Sequence, residues 1–257
     1  MKSLTAAIVL TALALLMSTS RAAESTGHRG YIPARPLLGI GATDPRIRVD
    51  PHALPWRVVK ELHAVSINLR ALCTATLVGP STVVTAAHCV FNPHTHRYFP
   101  PRSLHFLIGY NGSRYAGHAT GIRVKVGDGY DTGRPKETIG SDWALVSLDK
   151  SLGSGDRVLP ILGDPPEDGA NVMLGGYQQD HPLLLMADTQ CRIDGRFVDA
   201  SGVLLLRDSC AGAHGVSGAP LLINRGGIWH ISAIEIAGQI GTAGGAAVVL
   251  DEAIKSF

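Results

Sequence analysis

The sequence has no excess of charge of either sign. Its 23 Lys and Arg residues nearly balance its 21 Asp and Glu residues, which gives a formal net charge of +2, and the two kinds are interspersed. A protein that grips a nucleic acid backbone usually carries a clustered basic face. The sequence therefore gives no indication of a nucleic acid partner.

Several motifs that mark cofactor or metal sites are also missing. The chain has no Cys-x-x-Cys pair, no Gly-rich phosphate loop and no internal repeat. It contains four cysteines, Cys73, Cys89, Cys191 and Cys210. Their spacings suit no common zinc-ligand pattern. His94 and His96 lie near His88 in the chain, but a solvated loop is the simpler interpretation, so we expect neither a metal nor a cofactor.

The N-terminal apolar run is too short to cross a membrane. It covers residues 4–17, whereas a spanning helix takes about 20 residues. Lys2 precedes the run and the small residues of a cleavage region follow it, which predicts a signal peptide over residues 1–23. We expect residues 24–44 to be an arm or propeptide. The mature protein is then secreted or periplasmic and free of the membrane, in a compartment where disulfides persist.

Glycine and proline are abundant, and short apolar runs separate them. The 30 Gly, 15 Pro and 45% hydrophobic residues predict an all-β protein with many turns and a sizeable core. Strands are predicted at residues 56–67, 74–78, 82–85, 104–108, 122–126, 143–148, 172–174, 183–186, 196–198, 203–206, 221–223 and 228–236.

His88 follows the hairpin predicted over residues 74–85. A cysteine lies on each side of this segment, Cys73 before the hairpin and Cys89 directly after the histidine. A bridge between them would clamp the loop that carries His88 onto the sheet. Because a lone histidine in an apolar segment is more often an ordinary core residue, the rest of the chain has to supply partners.

Asp142 and Ser217 are the candidate partners. Asp142 begins the apolar strand predicted over residues 143–148, where a buried carboxylate costs several kcal/mol unless it is paired. It is therefore a candidate for orienting another side chain. Ser217 lies between Gly215 and Gly218, which can adopt positive φ angles and present amide N–H groups around the serine. A glycine-rich turn with a serine is usually only a turn, so these residues alone do not identify Ser217 as a nucleophile.

Three motifs resemble those of the trypsin/chymotrypsin family of serine proteases. They are T-A-A-H-C at residues 85–89, D-W-A-L at 142–145 and G-V-S-G-A-P at 215–220. The resemblance extends over about residues 45–257. A cysteine seven positions before the serine, with the G-x-S-G-A-P motif, looks most similar to the bacterial branches, which are glutamyl-endopeptidase-like or trypsin-like.

The resemblance implies a fold of two antiparallel six-stranded β-barrels, residues 45–152 and 153–257, with the active site in the cleft between them. Four cysteines allow three pairings. Pairing sequence neighbours, Cys73 with Cys89 and Cys191 with Cys210, closes two loops worth about 3 kcal/mol each in the chain-entropy model. The family's bridge beside its catalytic histidine matches the first pair.

The resemblance also implies a mechanism, that of a secreted serine endopeptidase acting through an acyl-enzyme. Ser217 would attack the peptide carbonyl, His88 would transfer its proton, and Asp142 would fix the imidazole tautomer. The backbone N–H groups of Gly215 and Ser217 match the family's oxyanion hole. The implied partner is a protein or peptide substrate, cleaved by a monomer without metal or cofactor.

Two departures from the family concern activation and specificity. Animal members have an aspartate before the serine that binds a new N-terminal amine, and Val216 stands there. Glu235 falls at the pocket-facing position where glutamate-specific relatives carry a histidine, and Ala211 falls where trypsin-like enzymes carry an aspartate. With Gly238 these residues form the predicted specificity pocket, which would then favour basic side chains.

Alternatives remain at this stage for Glu235 and for the function. Glu235 could instead point at solvent or pair with His214 or Arg225. The chain could be a non-catalytic binding protein on a protease scaffold, although all three triad residues are present. An esterase of the α/β-hydrolase type needs G-x-S-x-G and the order Ser, Asp, His, which the order here excludes.

Overall fold

A computed structural model describes residues 39–67, 69–112, 114–153 and 158–250. The predicted signal peptide and most of the predicted arm lie outside the described residues. Within these ranges the regular structure consists of strands and short 3-10 turns, and no helix is long and apolar enough to cross a membrane. The 3-10 turns are Trp56–Val58, Ala87–Val90, Pro101–Ser103 and Ile139–Ser141. The all-β prediction is confirmed.

The first half of the chain forms a closed six-stranded antiparallel barrel. After β1 (Ile47–Arg48), its strands are β2 (Val59–Ser66), β3 (Leu69–Gly79), β4 (Thr82–Thr85), β7 (Leu104–Ile108), β8 (Gly117–Val126) and β9 (Ala144–Leu148). They pair in the order β2-β3-β4-β9-β8-β7. Apolar side chains alternate inward and fill the barrel, among them Leu62, Leu77 and Phe106. A small hairpin of β5 (Phe91–Asn92) and β6 (Arg97–Tyr98) lies between β4 and β7.

The second half forms another antiparallel barrel. Its strands are β10 (Asn171–Gln178), β11 (His181–Val198), β12 (Leu204–Asp208), β13 (Pro220–Arg225), β14 (Ile228–Gly238) and β15 (Gly245–Val249). The order is β11-β10-β13-β14-β15-β12, and β12 pairs again with β11, so the ring closes. The predicted pair of six-stranded antiparallel barrels is confirmed. β1 adds to the second ring by pairing with β11.

Two strands of the second barrel differ from the sequence prediction. β11 is one strand of 18 residues, where short apolar runs predicted two. The missed part alternates from the exposed Gln190 through the buried Cys191 to the exposed Arg192, so polar residues on its outer face hide it. β15 was not predicted, because its sequence G-A-A-V-V is rich in small residues with weak strand preference.

Each disulfide joins two cysteines that are consecutive among the four in the sequence. The Cys73–Cys89 bridge ties β3 to the 3-10 turn that carries His88, with Cα atoms 6.2 Å apart. The Cys191–Cys210 bridge ties β11 to the segment before Ser217, with Cα atoms 4.8 Å apart. Each bridge therefore restrains a segment that carries a candidate site residue.

Candidate active site

Asp142 holds His88 at two points. The His88 backbone N–H donates to Asp142 Oδ1 at 2.9 Å, and His88 Nδ1 lies 2.7 Å from Asp142 Oδ2. Since an ionised carboxylate only accepts hydrogen bonds, Nδ1 carries the hydrogen and Nε2 of the neutral ring is left with a free lone pair. The arrangement leaves a base directed away from the carboxylate.

The surroundings of His88 also set its protonation. Burial of the ring lowers the pKa of His88, but the negative charge of Asp142 and its hydrogen bond raise the pKa by more, so the net shift is upward. Asp142 itself is buried, at 6% exposure, at the end of the 3-10 turn that precedes β9. This buried carboxylate is paired with His88.

Ser217 lies in a tight turn between two glycines with positive φ. Gly215 has φ +100° and Gly218 has φ +85°, in the region that disfavours residues with a side chain. A Cβ at Gly218 would overlap the carbonyl oxygen of Thr74 in β3. The N–H groups of Gly215 and Ser217 donate to no backbone group of the described residues. This turn therefore presents two donors beside a half-buried hydroxyl.

Thr74 joins this turn to the first barrel, a role that sequence reasoning missed. Its N–H donates to the Ser217 carbonyl at 2.9 Å, and its hydroxyl donates to the Gly215 carbonyl at 2.9 Å. Thr74 follows Cys73, whose disulfide holds the His88 turn. In the sequence it is one of several threonines in a strand, so its position directly after the cysteine was the only available signal.

A small cavity opens beside Ser217. Its volume is about 30 Å³. The residues lining it are Gly212, Ala213, His214, Val216, Ser217, Ala237 and Gly238. Of the three residues predicted for a specificity pocket, Gly238 lines this cavity. Ala211 is fully buried one residue before the first lining residue, and Glu235 is buried and does not line the cavity.

Glu235 pairs with Asp208, a residue that the sequence analysis did not consider. Both side chains are buried. One carboxylate oxygen of each, Glu235 Oε2 and Asp208 Oδ2, has no hydrogen-bond partner among the described residues. Glu235 reaches Asp208 through the space left by Gly245, the cross-strand partner of the cavity residue Gly238. Burial and the neighbouring Asp208 raise the pKa of Glu235 well above its usual range. The sequence left Glu235 as an ionised pocket residue, a solvent-facing residue or the partner of a basic residue. The structure instead buries its carboxyl group beside that of Asp208.

Two groups of side chains within the described residues have metal-like spacing. One is Cys73, His88 and Cys89, and the other is Asp44, Asp180 and His181. The cysteines of the first group form a disulfide, so they offer no thiolate. In the second group the guanidinium of Arg46 binds both carboxylates. His94 and His96 lie on an exposed loop.

Comparison with known proteins identifies the family. The profile of the family described as Trypsin matches residues 47–249. The chain belongs to the trypsin family. A cercarial protease of Schistosoma mansoni is 36% identical over 124 residues, which cover 43% of this chain and 45% of that protein. Trypsin zeta of Drosophila erecta is 25% identical over 190 residues, which cover 66% and 65%.

A solved structure shares the trypsin-family fold. The structure of a Glu endopeptidase in complex with MPD has a TM-score of 0.67 and 19% identity, and the match covers 84% of this chain and 95% of that one. The alignments to the two curated relatives span less than two thirds of each relative's length. The family and the fold follow from these matches.

Proposed function

We propose that this trypsin-family chain is a serine endopeptidase with His88, Asp142 and Ser217 as its catalytic triad. The observation that carries the proposal is the pair of hydrogen bonds that His88 donates to Asp142, from its backbone N–H and from Nδ1, which fixes the ring with Nε2 as the free base. A single hydrogen bond at Nδ1 would let the ring rotate about that bond. The second hydrogen bond, from the His88 backbone N–H, also fixes the carboxylate against the turn that carries the histidine.

In the proposed reaction, the Ser217 hydroxyl attacks the substrate carbonyl while His88 Nε2 takes its proton. The imidazolium then gives this proton to the leaving amine, and an acyl-enzyme with Ser217 remains. Water attacks the ester in the same way, with His88 again as base and then as acid. Asp142 stays ionised throughout and stabilises the imidazolium, consistent with the upward shift in the pKa of His88.

The N–H groups of Gly215 and Ser217 are the proposed oxyanion hole. They belong to a turn whose backbone is held by Thr74 from the other barrel. Donors fixed before the reaction need no reorganisation when charge develops on the carbonyl oxygen, and removal of one such donor costs roughly 3–4 kcal/mol elsewhere. Thr74 contributes to stabilising this charge because it holds the turn that carries Gly215 and Ser217.

The buried acid pair of Glu235 and Asp208 favours a basic side chain before the scissile bond. Glu235 and Asp208 are both buried beside the Gly238 wall. An entering Lys or Arg would supply the donors that the two open carboxylate oxygens lack. An acidic side chain would meet two carboxyl groups without a compensating cation.

We place this reaction outside the cytoplasm, after removal of residues 1–23, with a monomer acting on protein or peptide substrates. Two disulfides close within the described residues, and such bonds persist in oxidising compartments. No metal or cofactor takes part in the proposed steps.

A fluorophosphonate probe tests the proposal, because it reacts covalently with an activated serine. We expect one label per chain, lost in Ser217→Ala and retained in Ser201→Ala, an exposed serine of the β11–β12 turn. Ser217→Ala and His88→Ala should each lower kcat by about 10⁴-fold or more, without additivity. A wild-type chain that neither labels nor cleaves casein would instead be a binding protein on a protease scaffold.

A further inference from the structure

Arg46 is a buried cation in the segment that precedes the first barrel. Its side chain has no exposed surface. The guanidinium forms ion pairs with Asp44 and Asp180 and donates to Gln178 Oε1. Burying a charge costs several kcal/mol unless its donors are satisfied, and here two carboxylates and an amide oxygen satisfy them.

Gln178 connects this cation to the segment before Ser217. The amide oxygen of Gln178 accepts from the Ala213 N–H at 2.6 Å as well as from Arg46. Two donors on one oxygen fix which way the amide faces, and its Nε2 donates to the Met186 carbonyl at 3.4 Å. Gln178 is fully buried, so water does not compete for these bonds.

The segment held by Gln178 is the one that shapes the candidate site. Ala213 lines the cavity beside Ser217. Its carbonyl accepts from the Val216 N–H at 3.1 Å, and the Gln179 N–H donates to the His214 carbonyl at 2.7 Å. These bonds set the path of the backbone into Gly215, one of the two proposed oxyanion donors.

We propose that Arg46 is a positioning residue that, through Gln178, holds the Ala213 to Gly215 backbone in its catalytic conformation. This inference rests on the proposed peptidase function. Val216 offers no carboxylate to a freed N-terminal amine, and Arg46 supplies the cation from within the chain. The guanidinium polarises the Gln178 carbonyl, which strengthens its bond to the Ala213 N–H. The site is therefore formed without a cleavage that creates a new terminus.

The first test removes the link and leaves the cation in place. Gln178→Met keeps the side-chain volume and leaves Arg46 bound to Asp44 and Asp180, whereas Gln178→Glu restores an acceptor for both donors. In folded protein, we expect Gln178→Met to lower the rate of fluorophosphonate labelling and kcat on casein by about 10²-fold, the size seen when oxyanion donors are lost. Gln178→Glu should recover most of that loss. Unchanged rates in Gln178→Met would overturn the inference.

The second test separates positioning from stability. Arg46→Lys keeps a charge but cannot contact all three partners, and the control Arg48→Ala removes an exposed neighbour that bonds only to Asn111 among the described residues. Hydrogen exchange at the Ala213 amide should be faster in Arg46→Lys and Gln178→Met, with exchange in the first barrel unchanged. Uniformly faster exchange would mean a structural role only and would contradict the proposal. If the wild-type protein does not label, the peptidase function fails, while the exchange result still decides whether Arg46 orders this segment.

Discussion

The carboxyl group of Glu235 lies against that of Asp208 across β15. A Cβ at Gly245 would overlap Glu235 Oε1, so the glycine is what allows this approach. Burial raises the pKa of Asp208 to about 6, and burial together with the neighbouring Asp208 raises the pKa of Glu235 well above its usual range. Both shifts favour the protonated form of the pair, and an approaching cation would favour the ionised form.

Glu235→Gln tests whether this pair selects the substrate. We expect the wild-type enzyme to prefer Lys or Arg before the scissile bond and Glu235→Gln to lose most of that preference, because the amide cannot supply a negative charge. Cleavage of a mixed peptide library measures the change. The matched control is Glu61→Gln, another buried glutamate, which lies on β2 of the first barrel. An aromatic or acidic preference that is the same in wild type and Glu235→Gln would eliminate the pocket role.

The same pair should make stability depend on pH. A carboxyl group whose pKa is higher in the folded state contributes fully below its unfolded pKa of about 4, and this contribution is lost as the pH rises through the folded value. For Asp208 that window ends at about pH 6. The Tm of Glu235→Gln minus that of wild type should therefore increase from about pH 4.5 to about pH 7.5. A difference that stays constant, measured by calorimetry, would show that the pair does not titrate as inferred.

Local sequence patterns predicted most strands, because an apolar run and its bounding turns are set by a few neighbouring residues. The resemblance to a known family supplied the three triad residues, which stay a prediction. Contacts between distant residues could not be predicted in this way. The Thr74–Gly215 bond joins residues 141 positions apart, and the Arg46–Gln178 bond joins residues 132 apart. The partner of Glu235 was missed for the same reason: only the closure of β12 onto β15 brings Asp208 beside it.

Activity should rise with pH as His88 loses its proton. The base works only as neutral imidazole, and Asp142 stabilises the charged form by more than burial disfavours it. We therefore expect kcat/KM to increase through an apparent pKa above the ordinary histidine value of about 6.5. In Asp142→Asn this rise in kcat/KM should occur at lower pH, and kcat should fall by about 10⁴-fold. If the rise occurs at the same pH in Asp142→Asn, the group that titrates is not His88.

Gly218→Ala should destabilise the fold more than Gly227→Ala, although the two glycines have similar backbone angles. Gly218 and Gly227 have φ of +85° and +86°, but only a Cβ at Gly218 would strike other atoms, including Thr74 and Thr85. Gly227→Ala is therefore a control for backbone strain alone, about 1 kcal/mol. We expect Gly218→Ala to lose at least twice as much free energy of unfolding in urea titrations, and equal losses would contradict the close contact.

Activity should tolerate extra residues before the mature N-terminus. The segment from Gly39 onward is bound through peptide groups, since the Gly39 N–H donates to the Gln239 carbonyl at 2.8 Å and the Gly39 carbonyl accepts from Gly212 at 2.9 Å. Neither bond needs a free amine, and Val216 could not pair with one. Chains that begin at different residues between 24 and 36 should therefore have the same kcat on casein, whereas a chain that begins at Arg48 lacks Asp44 and Arg46 and should lose most of its activity. The fraction of molecules labelled by fluorophosphonate separates a slow site from a misfolded one. A strict requirement for one particular free terminus would show that this trypsin-family member is activated by cleavage after all.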